Sequence, residues 1–214
     1  MNNGGILMTL VQQIISNIKD NVALGDYDEE LGMYTSADFI YNGTHYYIDG
    51  TSWEMYRVVK GEYIPVHFTT SIDKKEYMIT AFGGAPVKVH RLLAMILLCG
   101  CDFAYTNSSI YHINHIWIPS DYYEAHIVKW LNHPSFLEVL TPRQNKEHMK
   151  FVHMYKLQDC PVCYKDIPLL KELIKKHNVP IGYCNSFIKN AYIKRKEGVA
   201  EYMGLRNIFK YINK

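Results

Sequence analysis

Four hairpin-type breaks, Asn42-Gly43, Asp49-Gly50, Lys60-Gly61 and Gly83-Gly84, cut the stretch from Phe39 to Val89 into short runs rich in Tyr, Ile, Val and Thr. Such pairs supply the positive φ angles that tight hairpin turns need. The runs Phe39–Tyr41, Thr44–Ile48, Trp53–Val59, Tyr63–Thr69 and Glu76–Ala81 are strand-length and β-prone. This stretch therefore predicts a small antiparallel sheet of four to six strands and excludes an all-helical chain. Tyrosines on such a sheet either pack or offer stacking surfaces for bases.

Helical spacing returns on both sides. Leu7, Leu10, Val11, Ile14, Ile15 and Ile18 form an apolar stripe that predicts an amphipathic helix over 7–19. That stripe either packs on its own domain or serves as a partner-binding or dimer helix. Residues 20–37 are acidic and turn-rich and read as a loop. His90 to Cys99 reads as a buried helix after the sheet. Ile167, Leu169, Leu170, Leu173 and Ile174 mark another, bounded by His177-Asn178-Val179-Pro180, and two more follow over about 185–196 and 199–212. The expected class is α+β, in four parts: an N-terminal helix and acidic loop (1–37), a β-rich region (38–89), a middle domain (90–153) and a basic helical tail (154–214).

The formal charge of +2 is unevenly spread. From Arg143 to Lys214 there are 15 Lys and Arg against 6 Asp and Glu, a balance of +9; the first 142 residues hold 8 against 15, a balance of −7. A basic tail behind an acidic front points to a polyanionic partner, most simply DNA; a solvated Lys-rich helical face is the plainer reading. The longest apolar run, Leu92 to Cys99, is too short to span a membrane. No secretory signal pattern opens the sequence. Five cysteines, an odd number, suit a reducing, intracellular compartment better than a disulfide framework.

Cys160-Pro161-Val162-Cys163 is followed by His177 and Cys184. These four residues can close a tetrahedral Zn²⁺ site that ties the tail helices together. Two small buried cysteines at a helix start are an equal alternative, and a thioredoxin-like redox site finds too little chain after it. His112, His126, His133, His148 and His153 have spacings that match no standard zinc pair.

The block from Val87 to Met149 carries the most chemistry. His90-Arg91-Leu92 opens a helix after a strand, Ile113-Asn114-His115-Ile116 follows, and then come Leu137-Glu138-Val139-Leu140-Thr141-Pro142-Arg143-Gln144-Asn145 and Lys146-Glu147-His148. In this order the pieces resemble the HNH endonuclease family of the phage and intron-encoded homing type. The resemblance implies a ββα-metal motif that hydrolyses DNA phosphodiesters. It implies His115 as general base and Asn114 and Asn145 as oxygen ligands of Mg²⁺ or Mn²⁺, with Arg91, Arg143 and Lys146 near the DNA backbone. Histidine suits the base role because its ordinary pKa lies near neutrality, and a hard cation suits oxygen ligands.

Two departures from the family pattern stand out. Phe136 occupies the place of an asparagine that braces the catalytic loop, for which Asn132 or His133 could substitute. The 21 positions from His115 to Phe136 exceed the family's loop, and the extra stretch includes Tyr122, Tyr123, His126 and Trp130. Behind this block, the helix through Ile174, the turn at Val179-Pro180-Ile181-Gly182 and the helix after it resemble a helix-turn-helix. That would place Asn185, Ser186, Lys189 and Asn190 near base edges and Lys194, Arg195 and Lys196 near phosphates. Three functions are thus open: an active HNH endonuclease, an inactive HNH fold kept as a DNA-binding, viral transcription or assembly factor, and a zinc-stabilised interaction protein.

Overall fold

A computed structural model describes residues 8–29, 31–52, 54–70, 78–82, 84–116, 136–157, 160 and 162–193. The chain divides into two compact units, Met1–Ser108 and Ser109–Lys214. The fold is mixed α+β with antiparallel sheets.

In the first unit, α1 (Leu10–Ile18) starts at Thr9, whose side chain and that of Gln12 form a reciprocal capping box. Its stripe of Val11, Ile14, Ile15 and Ile18 is buried and the helix packs on strand β4 (Ser36–Tyr41). The apolar face that offered a partner or dimer surface is therefore consumed inside the unit.

The stretch expected to be a loop contains three short strands: β1 (Ala23–Leu24), β2 (Tyr27–Asp28) and β3 (Met33–Tyr34). β1 pairs with β4, while β2 and β3 form a small ladder of their own. Asp28 is a turn acceptor here, its carboxylate taking the Leu31 N–H at 2.8 Å, so an acidic residue builds structure where composition reads as loop.

The main sheet has the order β1-β4-β5-β6-β7, with β5 at Thr44–Asp49, β6 at Glu54–Val59 and β7 at Glu62–Pro65. The breaks Asn42-Gly43 and Lys60-Gly61 are two-residue turns, and all four residues have φ between 49° and 84°. That is the geometry whose twist matches paired strands. β8 (Thr69–Thr70), β9 (Met78–Phe82) and β10 (Ala85–Lys88) make a separate three-stranded sheet, so the β-rich region is two sheets rather than one. Phe82 joins them, its ring centroid 4.5 Å from Tyr46 and 4.9 Å from Tyr41. Helix α2 (Val89–Leu93) follows directly and runs on as a π-helical stretch, Ala94–Leu98, nearly all of it buried. It belongs to this first unit, not to a domain beginning at residue 90.

In the second unit, β11 (His112–His115) and β12 (Leu137–Leu140) pair antiparallel, Asn114 opposite Glu138 and His115 opposite Leu137. Helix α3 (Pro142–Met154) packs on both strands. Its start is strongly specified: Thr141 caps, Gln144 completes a capping box, and Pro142 takes the first turn, where no N–H is needed. Helices α4 (Ile167–Lys176) and α5 (Cys184–Ile193) complete the described part. One core holds Ile116, Phe136, Phe151, Leu157, Val162, Leu170, Ile174, Cys184 and Ile188, so strands, α3 and tail helices fold as one body. The expected division at 153/154 runs through this core.

Candidate functional site

The pleat of β11 sorts its residues. His112 and Asn114 reach α3, where Asn145 and His148 meet them. Strand alternation sets Ile113 and His115 on the other side of the hairpin, with His115 half-buried. The sequence-derived trio is therefore distributed: Asn114 and Asn145 face each other's element, and His115 sits on the opposite side of its strand.

Asn114 is buried and belongs to a polar network. Its Nδ2 donates to Glu138 Oε1 at 2.8 Å and to His148 Nδ1 at 3.3 Å. His148 Nε2 donates to the Val162 carbonyl at 2.6 Å, which makes Nδ1 the acceptor nitrogen of the neutral ring. Glu138 also accepts the Tyr164 backbone N–H at 3.0 Å. Burial pushes the Glu138 carboxyl above its usual range, against the opposing pull of the hydrogen bonds from the Tyr164 N–H and Asn114. A buried polar cluster of this kind is costly unless its members are paired, and these are.

Asn145 lies one residue beyond the capping box of α3. Its Nδ2 contacts His112 Nδ1 at 3.1 Å, while its Oδ1 is buried without a hydrogen-bond partner among the described residues. Both amides thus spend their nitrogens on neighbouring side chains, Asn114 on Glu138 and His148, Asn145 on His112. The oxygen is the atom each has left to offer. Amide oxygens are the donors a hard divalent cation takes, so the two residues fit such an ion by chemistry. Among the described residues no group of three or more His, Cys, Asp and Glu is placed to hold a metal.

The zinc set does not assemble. The Cys160 thiol donates to the Asn185 carbonyl at 3.4 Å, and the Cys184 thiol donates to the Pro180 carbonyl at 3.5 Å. His177 is exposed and its ring lies 5.5 Å from that of Phe187. Burial raises the Cys184 thiol pKa. Cys160, Cys163, His177 and Cys184 are all described, and in this structure they are not gathered into one ligand group.

Of the candidate DNA contacts, Arg143 and Lys146 are exposed on the outer face of α3, with Lys150 and His153 on the same side. Arg143 is paired with Glu147 at 3.0 Å. Arg91 belongs to the first unit and is half-buried, its guanidinium pKa lowered by burial; His90 beside it is buried. The tail helices carry Asn185 half-buried and Ser186 exposed at the start of α5, with Lys189 and Asn190 further along the helix. Lys194, Arg195 and Lys196 lie outside the described residues, as do Asn132, His133, the stretch with Tyr122, Tyr123, His126 and Trp130, and the last expected helix.

Glu138, His148 and His112 escaped the sequence reading as site residues. Glu138 and His148 stand inside the quoted motif, but only the register of β11 with β12 puts Glu138 beside Asn114, and only the packing of α3 brings His148 there. Comparison with family models, with curated proteins and with solved structures returns no match. Among the described residues no helix is long and apolar enough to cross a membrane.

Proposed function

We propose that the second unit is a metal-dependent DNA endonuclease of the HNH type. The observation that carries this reading is the buried, unpartnered Oδ1 of Asn145 on a helix packed against a two-stranded hairpin that bears Asn114 and His115. A divalent cation, Mg²⁺ or Mn²⁺, held by the oxygens of Asn114 and Asn145, supplies charge neutralisation at the phosphate.

His115 takes a proton from water, the oxygen of that water bonds to phosphorus, and the ester oxygen leaves with its electron pair and is protonated from solvent. The exposed Arg143 and Lys146 hold the DNA backbone by charge. Helices α4 and α5 read bases in the manner of a helix-turn-helix. Such work belongs inside a cell, where the five free thiols of the chain are at home.

A second reading is an HNH-like fold that binds DNA without cutting it. Two observations favour it: Phe136 is fully buried in the apolar core, and His115 lies across the strand from Asn114. One experiment separates the two. Purified protein is incubated with supercoiled plasmid in Mg²⁺, Mn²⁺ or EDTA, beside His115→Ala and His112→Ala. Nicking that needs metal and is lost in His115→Ala supports the nuclease with His115 as base. Loss in His112→Ala alone, persisting at saturating Mn²⁺, moves the base to the helix-facing histidine. No nicking by the wild type, with salt-sensitive retention of DNA on a gel, selects the binding protein.

A further inference from the structure

The side chain of Asn145 poses a chemical problem that its neighbour solves. A carboxamide has two orientations of nearly equal shape, one presenting an oxygen and one an N–H donor, and only the first attracts a cation. Asn145 sits in the first turns of α3, its backbone N–H satisfied by the Thr141 carbonyl, so only the amide orientation remains to be set. His112 Nδ1 lies 3.1 Å from Asn145 Nδ2 and, in the tautomer with its proton on Nε2, accepts from it. Turning the amide over would place Oδ1 against the imidazole lone pair and bury a donor where the oxygen now lies. The backbone of His112 is held by its strand position, which pairs with Leu140, two residues before Pro142 opens α3. The contact therefore spans the junction of hairpin and helix.

We propose that His112 is a positioning residue that locks the carboxamide of Asn145 with its oxygen presented to a divalent cation. This rests on the metal reading of the hairpin–helix unit and adds to it a residue outside the family motif. The unpartnered, buried Oδ1 is the second half of the same observation: an orienting acceptor on the nitrogen side and an unpaired oxygen on the other. Outer-shell partners of this kind set metal affinity by fixing the ligand, and their removal typically costs roughly 10- to 100-fold.

The test is Mn²⁺ binding by the full chain, followed through the electron paramagnetic resonance signal of free Mn²⁺. Wild type, His112→Leu, Asn145→Asp and the double variant are titrated without DNA. His112→Leu weakens binding about tenfold or more. In the Asn145→Asp background the same change costs far less, because a carboxylate presents an oxygen in either orientation. Equal losses in both backgrounds, or no loss in His112→Leu, overturn the inference while leaving the metal reading intact. A wild-type chain that binds no Mn²⁺ overturns both. Should His112→Leu fail to fold, the Asn145 Nδ2 protons of the wild type decide, identified by their loss in Asn145→Asp. Slow solvent exchange and displacement by Mg²⁺ support the lock; rapid exchange with no response to Mg²⁺ overturns it.

Discussion

Placing at position 136 the asparagine of the HNH pattern that the sequence resembles should destroy the second unit. Phe136 is completely buried among Ile116, Phe151, Leu157 and the tail helices. Its backbone carbonyl accepts the Ile116 N–H at 2.9 Å, so the main chain already braces the end of β11. Removing a buried phenylalanine side chain costs about 3–5 kcal/mol through lost transfer energy and the cavity left behind. An amide placed there without partners adds about 1–3 kcal/mol. Phe136→Asn therefore costs about 4–8 kcal/mol, on the scale of a whole domain's stability of roughly 5–15 kcal/mol. Phe136→Leu, which stays apolar, costs about 1.5 kcal/mol or less. Differential scanning calorimetry of the full chain is the right assay, because two compact units can melt separately. One transition falls by well over 10 °C, or is lost, in Phe136→Asn, at roughly 4–8 °C per kcal/mol for small domains; Phe136→Leu shifts it slightly. A Phe136→Asn chain that melts within 2 °C or so of wild type, against that same scale, would refute the core assignment and revive a bracing role for the position.

Three further outcomes are expected. Thr141→Ala removes the capping box at α3 and lowers stability by about 1 kcal/mol in urea denaturation. The Glu138 carboxyl is raised by burial from 4.5, so between its unfolded and folded pKa values the native state holds a proton that the unfolded chain has released. Its contribution to stability therefore falls as pH rises through that window. The stability of wild type relative to Glu138→Gln, followed by urea midpoints from acid to neutral pH, should decline accordingly and then level off. Burial pushes the thiols of Cys99 and Cys101 up to about 12, so iodoacetamide at pH 8 leaves both unlabelled in the folded chain and labels them after unfolding, as read by mass spectrometry.

The first unit was legible wherever local chemistry sets the backbone. Asn42-Gly43 and Lys60-Gly61 announce turns because few other pairs accept two positive φ angles. The stripe from Val11 to Ile18 announces a helix because 3.6-residue spacing has no other use. The strands within the acidic stretch were not legible, since two-residue ladders such as Tyr27–Asp28 with Met33–Tyr34 owe their existence to tertiary partners. In the second unit the hairpin and helix were readable as pieces, but their chemistry was not. His112 and His115 are three residues apart on one strand, so parity puts them on opposite faces, and which face meets α3 depends on packing rather than on local sequence. The tail read as a separate module because helical spacing resumes there. Its apolar residues Leu170, Ile174 and Ile188 nevertheless belong to the core of the hairpin–helix.

The clamp at Val162 turns that shared core into a ruler. The Val162 N–H donates to the Ile116 carbonyl at 2.7 Å, and its own carbonyl receives His148. Two residues on, Tyr164 is tied to Glu138. The segment leading into α4 and α5 is thus riveted to the end of β11 on one side and to α3 on the other, and the tail helices cannot swing on a tether. Under the nuclease reading, the bases met by α5 and the phosphate reached by the hairpin stand at a constant offset along the duplex. Such a chain would cut at one set distance from the sequence it reads.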